Sequence, residues 1–170
     1  MKITDLNNCG SETAKIEILK CCTSEEWAKR MVKSLPFEDL DAMTEIAEDI
    51  WTNRIFDKDR LEAFSGHPKI GDVNSLKEKY ANTAAMAGNE QAGVDTASNK
   101  TIEELARFNS EYESKFGYIF IVCATGKSAE EMLDILKSRI NNDPKKEMII
   151  ASEEQNKITK IRINKIFEEE

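Results

Sequence analysis

Hydrophobic positions along this chain recur mostly three and four residues apart, the period of helices with one buried face. Trp27, Met31 and Leu35 form one such stripe. It is opened by Thr23-Ser24-Glu25-Glu26, a capping-box pattern that places Glu26 to reach back to the Thr23 amide, and Pro36 closes it. Asp39 caps the next helix, with Leu40, Met43, Ile46, Ala47 and Ile50 facing inward. Asp57 caps a short helix that Gly66 stops. Asn74 caps a helix running to Tyr80, and the small and polar residues from Ala81 to Gly93 read as an ordered loop or broken helix. Thr101-Ile102-Glu103-Glu104 is a second capping box, ahead of inward Ile102, Leu105, Phe108 and Tyr112. Ser128-Ala129-Glu130-Glu131 is a third, ahead of Met132, Leu133, Ile135, Leu136 and Ile140. Asp143-Pro144 opens the last helix with proline at its favoured first position.

One run breaks the helical period. Tyr118 to Cys123 is aromatic and β-branched, and no second run is long enough to pair with it as a strand. The pattern therefore predicts an all-α, single-domain helical bundle over residues 1–170, with an extended core segment near 118–124.

Composition narrows the possible functions. A chain of 170 residues suffices for one domain with a real core. Its net charge of -8 argues against a nucleic-acid binder or a ligand of anionic membranes. Neither Cys9, Cys21, Cys22 nor Cys123 forms a CxxC pair, and there is a single histidine, so no metal site is expected. The longest apolar run, Tyr118 to Ala124, is far too short to span a bilayer, and the first residues lack an apolar signal core. A cytoplasmic protein with reduced thiols is the expectation.

Candidate chemistry begins with that histidine, His67, the one side chain here that trades protons near neutral pH. Pro68 pushes it toward extended backbone and Gly66 ends the preceding helix, so His67 should stand at a helix-to-loop junction. On the last helix, Ile158, Arg162 and Ile166 share a face that Ile161 and Ala151 widen. A guanidinium beside an apolar stripe is costly unless paired, and either an internal carboxylate or a substrate oxygen could pair it. Glu90 and Gln91 stand in the small-residue loop, where a ligand could approach the backbone. Gly126-Lys127-Ser128 resembles the end of a phosphate-binding loop, but position 121 is isoleucine where that motif needs glycine, which rejects nucleotide binding.

Three separated pieces, Gly66-His67-Pro68-Lys69-Ile70-Gly71-Asp72, Asn89-Glu90-Gln91-Ala92-Gly93 and Phe116 to Ala124, resemble the OHCU decarboxylase family in the right order. The closing Lys157-Ile158-Thr159-Lys160-Ile161-Arg162 is similar to that family's final helix. The resemblance implies an all-helical, homodimeric enzyme that needs no cofactor. Its substrate would be a small molecule, 2-oxo-4-hydroxy-4-carboxy-5-ureidoimidazoline, decarboxylated to (S)-allantoin as the last step from urate. It also implies that His67 and Glu90 are catalytic. Pro68, Gly88, Gln91, Val122, Cys123, Ala124 and Arg162 would bind the substrate. Two stretches depart from the family pattern: Lys69-Ile70-Gly71-Asp72 stands where many members have Asp-Leu-Ala-Gly, and Met86-Ala87-Gly88-Asn89 lacks a serine many members carry.

Without a cofactor, the substrate's own ring must accept the electrons left by carbon dioxide. The expected parts are then a proton handler in His67, oriented and raised in pKa by Glu90, and a grip on oxygen by Arg162. Two rivals are a non-catalytic helical binding protein of the same fold and a cysteine hydrolase using Cys123 and His67.

Overall fold

Ser24 accepts a hydrogen bond from the Trp27 amide and so caps the helix Glu25–Lys33, one residue later than the Thr23 capping box predicts. The whole chain has been built as a computed structural model, which describes residues 1–68, 73–78 and 94–168. In chain order the helices are α1 (Ile3–Asn8), α2 (Ser11–Leu19), α3 (Glu25–Lys33), α4 (Leu40–Asn53), α5 (Asp57–Ser65), α6 (73–78), α7 (Val94–Phe116), α8 (Ala129–Arg139) and α9 (Pro144–Ile166). No strand occurs among the described residues, so the fold is all-α as expected. None of these helices is long and apolar enough to cross a membrane.

The chain divides into two compact units, the first formed by Met1–His67 with the chain from Ala151 onward, the second by Pro68–Ile150. In the first, α3 is central and packs against α2, α4 and α5. Its Trp27 and Met31 are fully buried, while Leu35 lies beyond the helix end. Each buried side chain of this size contributes about 1.5–3 kcal/mol before entropy is counted. The indole N–H groups are satisfied: Trp27 donates to the Ala47 carbonyl at 3.2 Å and Trp51 to the Ser152 carbonyl at 2.9 Å. Asp39 caps α4 through the Ala42 amide, as its sequence predicts. Met43, Ala47 and Ile50 are buried along α4. Asp57 does not cap α5; it lies inside the first turn, and the capping contact is made by Asp59 to the Phe56 amide. The ends of the described chain meet, Ile3 donating to the Glu168 carbonyl and Glu168 to the Met1 carbonyl.

In the second unit α7 and α8 pack together around Leu76, Ile102, Leu105, Tyr112, Met132, Leu133 and Leu136. Thr101 is not a cap, because α7 already runs from Val94. The Ser128 capping box is formed at both of its bonds, Ser128 accepting from Glu131 and Glu131 from Ser128. Residues 118–124 form neither helix nor strand. Their alternation is visible in the packing: Tyr118, Phe120, Val122 and Ala124 lean on the core cluster, while Ile121 and Cys123 are buried. The segment is held by a buried ion pair. Arg139, at the end of α8, donates to the Ile121 carbonyl at 2.8 Å and through Nε to Glu147 at 2.7 Å. Arg139 Nη2 lies 2.5 Å from the same carboxylate oxygen, a charge contact rather than an aligned hydrogen bond. Tyr112 and Asn142 also donate to Glu147.

Candidate active site

His67 stands one residue past the last turn of α5, the junction its sequence predicts. The stop is made differently from the expectation. Gly66 has ordinary right-handed angles, φ -76°, so no left-handed turn ends the helix. What demands glycine is proximity: a Cβ there would fall 2.0 Å from the Thr23 hydroxyl oxygen. The chain ahead of α3 thus presses against the end of α5, and Gly66 and His67 close it by donating backbone hydrogen bonds to the Ala63 and Phe64 carbonyls.

The imidazole is half-buried, and its Nε2 lies 2.5 Å from Oε1 of Gln155 on α9. Burial holds the His67 pKa below the ordinary histidine value; the bond to Gln155 opposes this, and the positive charge of Arg162 adds to the lowering. The sequence expectation was a pKa raised by Glu90. Glu90, Gly88 and Gln91 lie outside the described residues, and the groups that are described lower the His67 pKa on balance.

Arg162 is half-buried, with Nη1 3.4 Å from the Cys21 carbonyl. Its place on α9 differs from the predicted apolar face. The buried stripe is Ala151, Gln155, Thr159 and Ile163, whereas Ile158 and Ile166 are half-buried and Ile161 is 44% exposed. The stripe is rotated by about 60° from the one read off the apolar residues. Hydropathy misses it because two of its members are polar. Arg162 borders this stripe, close enough to His67 for its charge to be felt there.

The first unit therefore brings together His67 and Arg162, and adds Gln155 and Thr159, which sequence reasoning did not single out. In the second unit, Pro68 is exposed, Val122 and Ala124 are half-buried and Cys123 is buried. Lys127 donates to the Cys123 carbonyl at 2.8 Å, so the phosphate-loop look-alike serves to hold this turn. Cys21 and Cys22 are buried with thiols pushed up to about 12 and about 11, mainly by desolvation, which makes them inert as nucleophiles. Among the described residues, no group of three histidine, cysteine or acidic side chains is arranged to hold a metal ion.

The family model described as OHCU decarboxylase matches residues 7–164. The chain belongs to the OHCU decarboxylase family. It is 42% identical over 147 residues to the uric acid degradation bifunctional protein TTL of Arabidopsis thaliana, covering 86% of this chain and 45% of that protein. The chain thus spans less than half the length of that relative. A 2-oxo-4-hydroxy-4-carboxy-5-ureidoimidazoline decarboxylase of Amia calva is 27% identical over 82% of this chain and 94% of its own length. A crystal structure of an OHCU decarboxylase in the presence of (S)-allantoin superposes with TM-score 0.70 at 39% identity, covering 88% of this chain and 96% of that one. A second structure, of an (S)-allantoin synthase, shares the fold with TM-score 0.72 at 17% identity, over 98% of this chain and 54% of that one.

Proposed function

We propose that this chain decarboxylates 2-oxo-4-hydroxy-4-carboxy-5-ureidoimidazoline to (S)-allantoin without a cofactor. The observation that carries the reading is a half-buried His67, its Nε2 on Gln155 and its pKa lowered by burial and by the charge of a half-buried Arg162, in a chain of this family. In the reaction the bond from ring carbon to carboxylate breaks and carbon dioxide leaves. Its electron pair passes into the conjugated ring, and carbon then takes up one proton. His67 handles that proton, and Arg162 grips an oxygen on which negative charge grows.

The electrostatics support this division of labour. Arg162 helps to depress the His67 pKa. A substrate carboxylate arriving beside Arg162 offsets that charge and raises the proton affinity of His67. Glu90 completes the acid–base pair. Pro68, Gly88, Gln91 and the backbone at Val122, Cys123 and Ala124 position the ring and ureido group.

Stereochemistry is the decisive measurement, because the uncatalysed reaction has no chiral influence and yields a racemate. With freshly generated substrate, the protein should give an excess of (S)-allantoin that survives dialysis against a chelator, and His67→Asn should abolish it. A racemate from the unmodified protein would reduce it to a binding protein of the same fold. We also propose that it acts as a single functional domain and a cytoplasmic homodimer, which sedimentation and cell fractionation will test.

A further inference from the structure

The buried stripe of α9 contains a hydrogen-bonded chain that ends on the His67 ring. Thr159 is 3% exposed and Gln155 is 1% exposed, so neither side chain has water to turn to. The Thr159 hydroxyl donates its proton to the Gln155 main-chain carbonyl at 3.0 Å. With that proton committed, its oxygen accepts from the Gln155 Nε2 amide at 3.2 Å, and the neighbouring buried Cys22 thiol can donate to its second lone pair. The Gln155 side chain is thereby oriented with nitrogen toward Thr159 and Oε1 toward His67. An amide oxygen has no proton to give, so at 2.5 Å the hydrogen between it and the ring belongs to His67 Nε2.

We propose that Gln155 is a positioning residue for the decarboxylation: by accepting the Nε2–H of His67, and being itself fixed by Thr159, it locks the imidazole in one tautomer and leaves Nδ1 as the nitrogen that meets the substrate. The catalytic part of this statement rests on the decarboxylase reading above; the tautomer does not. In the neutral ring a proton on Nε2 leaves a bare lone pair on Nδ1. Nδ1 is therefore the atom that takes one proton from solvent water and delivers it to carbon after carbon dioxide leaves, which returns Nδ1 to its bare state. A ring free to turn would at times present Nε2–H to the substrate, in the wrong protonation state for that task. The charged group facing the ring in this unit, Arg162 on α9, favours the neutral form in either tautomer but does not choose between them. Among the described residues, the oriented amide is the group that does.

Because His67 is the single histidine in the chain, its two ring nitrogens give isolated signals in a nitrogen-15 spectrum. The unmodified protein should show a protonated Nε2 and a bare Nδ1 at pH above the His67 pKa. In Gln155→Leu the signals should move toward a mixture of tautomers, and the His67 pKa should fall further, since the bond that holds its proton is gone. General acid–base catalysis is worth roughly 10²- to 10⁴-fold, so loss of orientation should lower kcat by about 10-fold or more while KM stays within about 2-fold. Gln155→Glu keeps an acceptor at the same place and should restore the Nε2–H tautomer with a raised pKa. If Gln155→Leu fails to fold, Thr159→Val removes the group that orients the amide and should produce the same drift in smaller measure.

An unchanged tautomer in Gln155→Leu, or in Thr159→Val should the first not fold, overturns the proposal whatever the activity. A shifted tautomer with unchanged kcat overturns its catalytic part. If the tautomer shifts as expected while the unmodified protein makes only racemic allantoin, the decarboxylase reading has failed and the positioning of His67 stands.

Discussion

The His67 pKa is lowered in the folded protein because charging it means stripping water from an imidazolium near Arg162, and the unfolded chain carries no such penalty. Its folded pKa is therefore the lower of the two, and the unfolded state binds the proton more readily. Full stability is present above the unfolded value near pH 6.5 and is lost as pH falls through the folded value. Melting temperatures taken from about pH 7.5 down to 5.5, above the range where ordinary carboxylates titrate, should fall more steeply for the unmodified protein than for His67→Asn. Parallel curves would mean that His67 is not desolvated. This residue was legible in the sequence because it is unique and because proline follows it. Gln155 was not legible, since a glutamine between Glu154 and Asn156 reads as solvent-facing until the fold turns it inward. Gly66 was legible as a helix stop, but its reason, the approach of Thr23, is a tertiary contact that no local pattern encodes.

Helix α9 and the end of α8 show how charge and packing share the work within elements. Arg139 lies in the last turn of α8 and Glu147 in the first turn of α9, so each sign complements the dipole end on which it sits. Between them they gather the Tyr112 hydroxyl, the Asn142 amide and the Ile121 carbonyl. Glu147 is wholly buried, and its removal would strand a guanidinium that is 6% exposed. Glu147→Leu should therefore cost about 3–5 kcal/mol in urea unfolding, whereas Arg139→Met with Glu147→Leu should cost far less, because the pair's own desolvation disappears with it. Equal losses in the single and double variants would show that packing, not charge, sets the energy there. The sequence showed the Ser128 and Asp39 caps because the side chain that caps is local. It hid the ion pair, whose members stand on different helices, and it misplaced the cap of α3 by one residue and the capping contact of α5 by two, where neighbouring polar residues compete for the role.

At the scale of the whole molecule, the all-α class and the non-helical run at 118–124 were both legible. One comes from the three-and-four spacing of apolar residues, the other from its breakdown among aromatic and β-branched ones. The first two helices were not. In α2 only Ala14 and Ile18 are buried while Ile16 is 61% exposed, so the short helix carries no apolar stripe to read and is held by its neighbours. The closing of the chain on itself could not be read at all, yet it has a consequence. With Ile3 and Glu168 joined by a backbone hydrogen bond and Phe167 buried, a short linker can close the described backbone into a ring. A circular permutant that joins the old ends through a short glycine-rich linker and opens at the exposed turn of Thr125 and Gly126 should keep its helicity by circular dichroism. Collapse of that helicity would show that the order of synthesis, and not only the closed set of contacts, is part of what this sequence specifies.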